Sequence, residues 1–260
     1  MKTAIVTLVD DNYLPGTLAM VHSVRVTGYT GDVVAIVNGD LSRKNENILN
    51  HMNIKVKVFD NIKNPNKGKV TISQIQNFFQ QANVYNKLHA WSLVEYDKVL
   101  FVDSDIIFVR AFDHVWNVSC DKGWIAGVEI PAVSDNFKQQ PGRLNTGVFL
   151  IVPDSDTYKE LIDVKNLKSL DSYDHSDQGY ICTYFHKKIV FLSQDMNVSK
   201  RATDWEIENA RGIHFLNQPK PWNCPSRARI KGQNFKLHTM WWRCYKQAVD
   251  KLCSGKQVPV

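Results

Sequence analysis

The 260-residue sequence holds only five cysteines, Cys120, Cys182, Cys224, Cys244 and Cys253. They are scattered, odd in number and without a Cys-x-x-Cys pair, which argues against a disulfide framework or a zinc cluster and for a reducing, cytoplasmic setting. No apolar run is long enough to cross a bilayer, so no membrane partner is expected. The run Ala4 to Val9 is shorter than a signal-peptide core and meets Asp10-Asp11 in place of a small-residue cleavage site, so it reads as a first β-strand. Also missing is any basic run interleaved with aromatics. The 32 Lys and Arg outnumber the 26 Asp and Glu, for a net charge of +6. They are spread along the chain, a pattern that suits a solvated basic surface and anionic ligands better than nucleic acid. No internal repeat or low-complexity segment is found.

What is present is an ordinary globular composition, 43% hydrophobic and 22% charged, on a chain long enough for one sizeable core. One domain over 1–230 with a C-terminal helical extension over 231–260 packed on it is the expected division. Short β-branched runs at Ala4 to Val9, Val33 to Val37 and Ile54 to Phe59 end in polar turns, as buried parallel strands do. Between them, Leu14, Leu18, Val21 and Val24 recur at helical spacing after Pro15, and Leu41 to Met52 reads as a second helix. Asp60 to Thr71, rich in Asn, Lys, Pro and Gly, reads as a mobile loop that folds over a ligand. A helical stretch over Gln74 to Tyr96 carries Leu88, Trp91 and Leu93 to the core, and Lys98 to Val102 is a strongly apolar strand. Further strands are expected at Trp124 to Glu129, Thr146 to Val152 and Ile189 to Leu192, with helices at Thr157 to Leu167 and Gln178 to His186. The alternation implies an α/β fold with a mostly parallel central sheet flanked by helices.

Asp103-Ser104-Asp105 follows the apolar strand directly, where an open α/β sheet places its ligand crevice. Two carboxylates at alternate positions can converge on one hard cation, Mg²⁺ or Mn²⁺, and leave room for phosphate oxygens; an added imidazole tilts the choice towards Mn²⁺. A bare Asp-x-Asp is also an ordinary turn, because Asp is common where strands end. The segment Gly212 to Trp222 puts His214 and Lys220 in a proline-stiffened loop, able to offer a neutral nitrogen to a metal and a point charge to a phosphate. Read alone, His214 and Lys220 fit a core or surface histidine beside an exposed lysine better than a site, since a lone His is weak evidence.

Taken in order, Asn86-Lys87-Leu88-His89-Ala90-Trp91-Ser92-Leu93, Tyr96 to Asp105, Asn145-Thr146-Gly147-Val148-Phe149, Asp177-Gln178-Gly179 and His214 to Trp222 resemble the glycogenin-like members of retaining glycosyltransferase family 8, over about residues 3–225. The resemblance implies a GT-A fold in which Asp103, Asp105 and His214 bind Mn²⁺, with Mg²⁺ as the alternative, against the diphosphate of a UDP-sugar. Lys220 would touch the same diphosphate. Thr7, Leu8, Val9 and Tyr13 resemble the uridine-binding strand end, and Lys87, Ser104 and Asn217 fall among the donor-contacting positions. Asn145 and Thr146 would lie near the sugar hydroxyls, with Asp174, Asp177 and Gln178 beside the anomeric carbon. There a carboxylate orients a hydroxyl or stabilises the positive charge that develops on the ring. Asp177 is also suited to cap the helix that follows it.

Departure of UDP builds negative charge where the cation and Lys220 are expected, so the implied chemistry is hexosyl transfer, UDP-glucose being the family default, to a glycan, protein or polyol acceptor. Relatives form dimers, which adds a homodimer to the expected partners. The segment matching the self-glucosylated region of glycogenin, Ser193 to Ala202, contains no tyrosine, so self-glucosylation in that manner is not expected. Asn217 stands where the family usually has glycine. Two rival readings are a non-catalytic UDP-sugar-binding module and a Mg²⁺-dependent phosphatase of haloacid dehalogenase type, though the latter carries its Asp-x-Asp near the N-terminus.

Overall fold

The fold was analysed in a computed structural model, which describes residues 1–39, 41–65, 84–130, 142–170, 172–224 and 233–254. The strands β1 (Thr3–Leu8), β2 (Asp32–Val37), β3 (Ile54–Val58), β4 (Lys98–Val102), β6 (Ile125–Glu129), β7 (Leu144–Ile151) and β8 (Ile189–Leu192) form one sheet in the order β3-β2-β1-β4-β7-β6-β8. Every neighbouring pair is parallel except those made by β7, which runs antiparallel to both β4 and β6. Period-2 alternation sends Ile5, Leu100 and Val102 to one apolar layer and Ala4, Val6, Val99 and Phe101 to the other, so both faces are covered, as a parallel sheet requires.

Helix α1 (Leu14–Val26) has Pro15 in its first turn, and α2 (Arg43–His51) begins where the Ser42 side chain accepts from Asn45 N–H, a cap worth about 1 kcal/mol. Over the other face, Tyr85, Leu88 and Trp91 recur every third residue, and the chain forms a 3₁₀ helix over Val84–Ser92, in which such side chains eclipse. The expected helix over Gln74 to Tyr96 is therefore 3₁₀ in its described part and ends by Ser92, while 66–83 lie outside the described residues. Trp91 stacks on Phe149 and Phe185 at 5.3 and 5.4 Å, and Phe149 on Phe101 at 4.8 Å; such pairs add roughly 0.5–1.5 kcal/mol each beyond area burial.

The helix expected over Thr157 to Leu167 is two helices, α3 (Ser155–Ile162) and α4 (Val164–Ser169). Asp163 breaks it by taking an extended backbone and accepting from the N–H groups of Lys165 and Asn166, a cap that competes with helix continuation. Helix α5 (Asp177–Tyr184) follows. The beginning of the supposed mobile loop is tied down: Ile62 N–H donates to Asn86 Oδ1 at 2.8 Å, and the buried Asn64 donates to the His175 carbonyl at 3.4 Å. A second sheet, β5 (Ile106–Phe108), β9 (Val198–Ser199) and β10 (Gly212–His214), is ordered β5-β10-β9. Its strands are too short to show a period in sequence, and it corrects the reading of Gly212 to Trp222 as loop throughout. Between β9 and β10 lies α6 (Asp204–Asn209), opened by a Thr203–Glu206 capping box. The C-terminal helix α7 (Gln233–Cys253) packs on α1, where His22 and Gln247 hydrogen-bond at 3.1 Å.

Candidate active site

Strand register assembles the site. β4 delivers Asp103 to the carboxyl edge of the main sheet, and Asp103 N–H donates to Gly147 O at 2.8 Å. The start of β7, Asn145-Thr146-Gly147, is thereby fixed beside the acidic pair. β5 leaves directly after Asp105 and pairs antiparallel with β10, His214 opposite Ile106, while Phe215 N–H donates to Asp105 O at 3.0 Å. His214 Nε2 lies 3.1 Å from Asp105 Oδ1 and 4.0 Å from Asp103 Oδ2. Gly147 sits over the imidazole so closely that a Cβ there would lie 2.5 Å from His214 Cε1.

Ammonium groups flank the acids. Lys87 Nζ is 3.0 Å from Asp103 and 3.2 Å from Asp177, and donates to Thr146 O at 3.2 Å. Lys220, 2% exposed, pairs with Asp105 and donates to Phe215 O at 3.1 Å, so it is not an exposed lysine. Burial, reinforced by Asp105 and opposed by Lys87, holds the Asp103 carboxyl above its ordinary value. For Asp105 burial pulls the same way, but His214 and Lys220 outweigh it and hold the carboxyl well below that range. Burial would lower Lys87, yet Asp103 and Asp177 hold its ammonium above its usual value.

Asp177 opens α5 as its first helical residue, and the cap is Ser176, whose Oγ accepts from Gln178 N–H. The Asp177 carboxylate is thus available to Thr146 Oγ1, which donates to it at 2.9 Å, and to Lys87. Asp174 is spent on its own loop: Oδ1 accepts from Ser176 N–H, Gly179 N–H and Ser172 Oγ, and Oδ2 from Gln178 Nε2. Burial raises its carboxyl, opposed by the Ser176 N–H.

These groups line a cavity of about 680 Å³. Asp103, Ser104, Asp105, His214, Asn217 and Lys220 form one side; Lys87, Asn145, Thr146, Asp174, Asp177 and Gln178 another; Leu8, Val9 and Tyr13 a third. Thr7 is not among the lining residues: it is fully buried, and its Oγ1 has no partner among the described residues. Within β1 Thr7 shares the face of Ile5, and the cavity lining begins with Leu8 at the end of the strand. Asn217 adopts a left-handed backbone, φ 63°, which Asn tolerates better than most residues. Sequence reasoning missed Asp10, Asn12, Asn38 and Trp222, which also line the cavity. Trp222 meets Tyr13 edge-on at 5.5 Å and the fully buried Trp241 of α7 at 5.5 Å, so the C-terminal helix supports this wall.

Asp103, Asp105 and His214 offer ligand atoms within 4.8 Å of one another. Among the described residues, the three carboxylates of Asp103, Asp105 and Asp177 meet two ammonium groups, Lys87 and Lys220, and the His214 ring. Two carboxylates and an imidazole so placed fit a divalent cation.

Residues 4–224 match Glycosyl transferase family 8. The chain is 26% identical over 266 residues to a putative UDP-glucuronate:xylan alpha-glucuronosyltransferase 3 of Arabidopsis thaliana, covering 92% of this chain and 39% of that protein. It is 25% identical over 269 residues to glycogenin-1 of Caenorhabditis elegans, covering 96% of this chain and 57% of that protein. It therefore spans well under two thirds of either. The structure superposes on the galactosyltransferase LgtC in complex with donor and acceptor sugar analogs with a TM-score of 0.65 and 17% identity, covering 94% of this chain and 95% of that one. The fold is GT-A. Among the described residues no helix is long and apolar enough to cross a membrane.

Proposed function

The chain belongs to glycosyl transferase family 8, and from that premise we propose that it is a retaining glycosyltransferase moving a hexose from a UDP-sugar to a glycan, protein or polyol, with Mn²⁺ as the preferred cation. The observation that carries this reading is the convergence of Asp103, Asp105 and His214, from two different sheets, on one wall of the cavity. Asp103, Asp105 and His214 would hold the cation, which when bound supplies a positive charge to the diphosphate as it leaves. Lys220, Asn217 and Ser104 border the same space.

The chain's own residues divide the remaining work. Leu8, Val9 and Tyr13 offer a surface for the base. Asn145 and Thr146 meet sugar hydroxyls. Asp177 and Gln178 face the anomeric carbon, where a carboxylate stabilises the charge developing on the ring. Lys87 bridges Asp103 and Asp177, pairing with both carboxylates. Asp174 serves this wall by fixing the loop that carries Asp177. The lack of tyrosine in Ser193 to Ala202 favours a separate acceptor over self-glucosylation.

The test is a panel of UDP-glucose, UDP-galactose and UDP-glucuronate assayed for Mn²⁺-dependent hydrolysis, since slow donor breakdown reports the sugar before the acceptor is known. Release of UDP from one of them with Mn²⁺ is the expected result. Binding without turnover across a broad acceptor panel would leave a binding module in place of the enzyme.

A further inference from the structure

A ring nitrogen that ligates a metal must be unprotonated, and which nitrogen carries the proton is set by what the other one meets. His214 Nδ1 lies 2.9 Å from Asn197 Oδ1, and Asn197 Nδ2 donates to Asn145 Oδ1 at 2.8 Å. The orientation of an amide is ordinarily ambiguous, but this chain of contacts ends on Gly147 N–H, which donates to Asn145 Oδ1 at 2.9 Å and, as a backbone amide, can only donate. The polarity then follows link by link. The Asn145 oxygen faces Gly147 and Asn197, so Asn197 presents its nitrogen to Asn145 and its oxygen to His214. The oxygen requires a proton on Nδ1. That leaves Nε2, 3.1 Å from Asp105 Oδ1, as the nitrogen whose lone pair a cation placed between the ring and the acids would take.

We infer that Asn197 is a positioning residue that holds His214 in the Nδ1–H tautomer with Nε2 free for a divalent cation, and that the backbone N–H of Gly147 sets this polarity through Asn145. The inference rests on the metal-assisted reading above and extends it to a residue on the 3₁₀ turn Gln194–Asn197. That turn is pressed onto β10: a Cβ on Gly212 would run into Met196 O. The same links commit both lone pairs of the Asn145 oxygen, so Asn145 can offer a sugar hydroxyl only its NH₂ group, as a donor.

The experiment compares the unaltered protein with Asn197→Leu, which removes the acceptor at similar volume, and Asn197→Asp, which keeps it. Mn²⁺ affinity is measured with UDP by the electron paramagnetic resonance of free Mn²⁺. The His214 tautomer is read by long-range ¹⁵N–¹H correlation with diamagnetic Mg²⁺ and UDP, and melting temperature checks the fold. Expected are a loss of Mn²⁺ affinity of about 10–100-fold in Asn197→Leu, recovery to within about threefold in Asn197→Asp on the same argument, and a protonated Nδ1 in the unaltered protein. A folded Asn197→Leu variant that binds Mn²⁺ as the unaltered protein does, or a protonated Nε2 in the loaded unaltered protein, overturns the inference alone. Failure of the unaltered protein to take up Mn²⁺ overturns the metal-assisted reading and this inference with it. Should Asn197→Leu not fold, the tautomer and the Asp variant still decide.

Discussion

Gly147→Ala is the smallest change that should disable the site. The added methyl carbon would stand 2.5 Å from His214 Cε1, 2.8 Å from Asn145 Oδ1 and 2.9 Å from His214 Nδ1. Carbon atoms rest at about 3.5–4.0 Å, so the ring must retreat by roughly 1 Å. The ring is held at both nitrogens: His214 is 3% exposed, with Asn197 at one and Asp105 at the other, so a retreat breaks these contacts. A metal–ligand distance tolerates about 0.2 Å, so the displaced imidazole ceases to be a ligand. The loss of Mn²⁺ affinity should be at least about tenfold, or 1.4 kcal/mol, with an overpacking cost to stability of about 1–3 kcal/mol. Calorimetric titration of Mn²⁺ in the presence of UDP, beside a melting curve, reads both. A Gly147→Ala protein that binds Mn²⁺ within twofold of the unaltered one would show that His214 does not need this place.

Other variants separate charge from packing. Asp103→Asn and Asp105→Asn should both end Mn²⁺-dependent donor turnover, but only the second should unfold readily. The Asp105 side chain is 8% exposed and pairs with the buried Lys220, whereas that of Asp103 is 25% exposed and leaves Lys87 its Asp177 partner; breaking the buried pair costs about 3–5 kcal/mol, and equal melting temperatures would refute this. Lys220→Met should slow donor turnover and lower the melting temperature, and Mn²⁺ should narrow the deficit by restoring positive charge beside Asp105; no narrowing would contradict it. Burial holds the imidazoles of His22 and His89 below the ordinary 6.5. Because the folded values are depressed, their contribution is complete above 6.5 and is lost as pH falls through the folded values. Melting temperature should therefore drop from about pH 7 to about pH 5, and drop less in His89→Gln; identical slopes would remove His89 from the explanation.

Strand β4 and the acids after it were legible because the four-residue apolar run Val99 to Val102 and its polar end are local signals. Leu88, Trp91 and Leu93 were legible as core, though the first two sit with Tyr85 at a spacing of three that belonged to a 3₁₀ helix. His214 was legible as a residue but not as part of a strand, since a three-residue strand has no period and its pairing with β5 is a long-range event. Asn197 carried no local signal beyond a short Asn-Val-Ser motif; its meaning lies in a hydrogen bond to Asn145, which is distant in sequence. Thr7 was named with its neighbours as one strand end, and its side chain lies buried behind the cavity lining that begins at Leu8.

The central claim is that two carboxylates from one strand tip and an imidazole from a second sheet share one cation. Diffraction from crystals grown with Mn²⁺ and UDP, recorded for the anomalous signal of manganese, tests it most directly. The account predicts one strong peak bonded to Asp103, Asp105 and His214 Nε2. A peak that leaves His214 uncoordinated, or manganese bound elsewhere in the cavity, would contradict it.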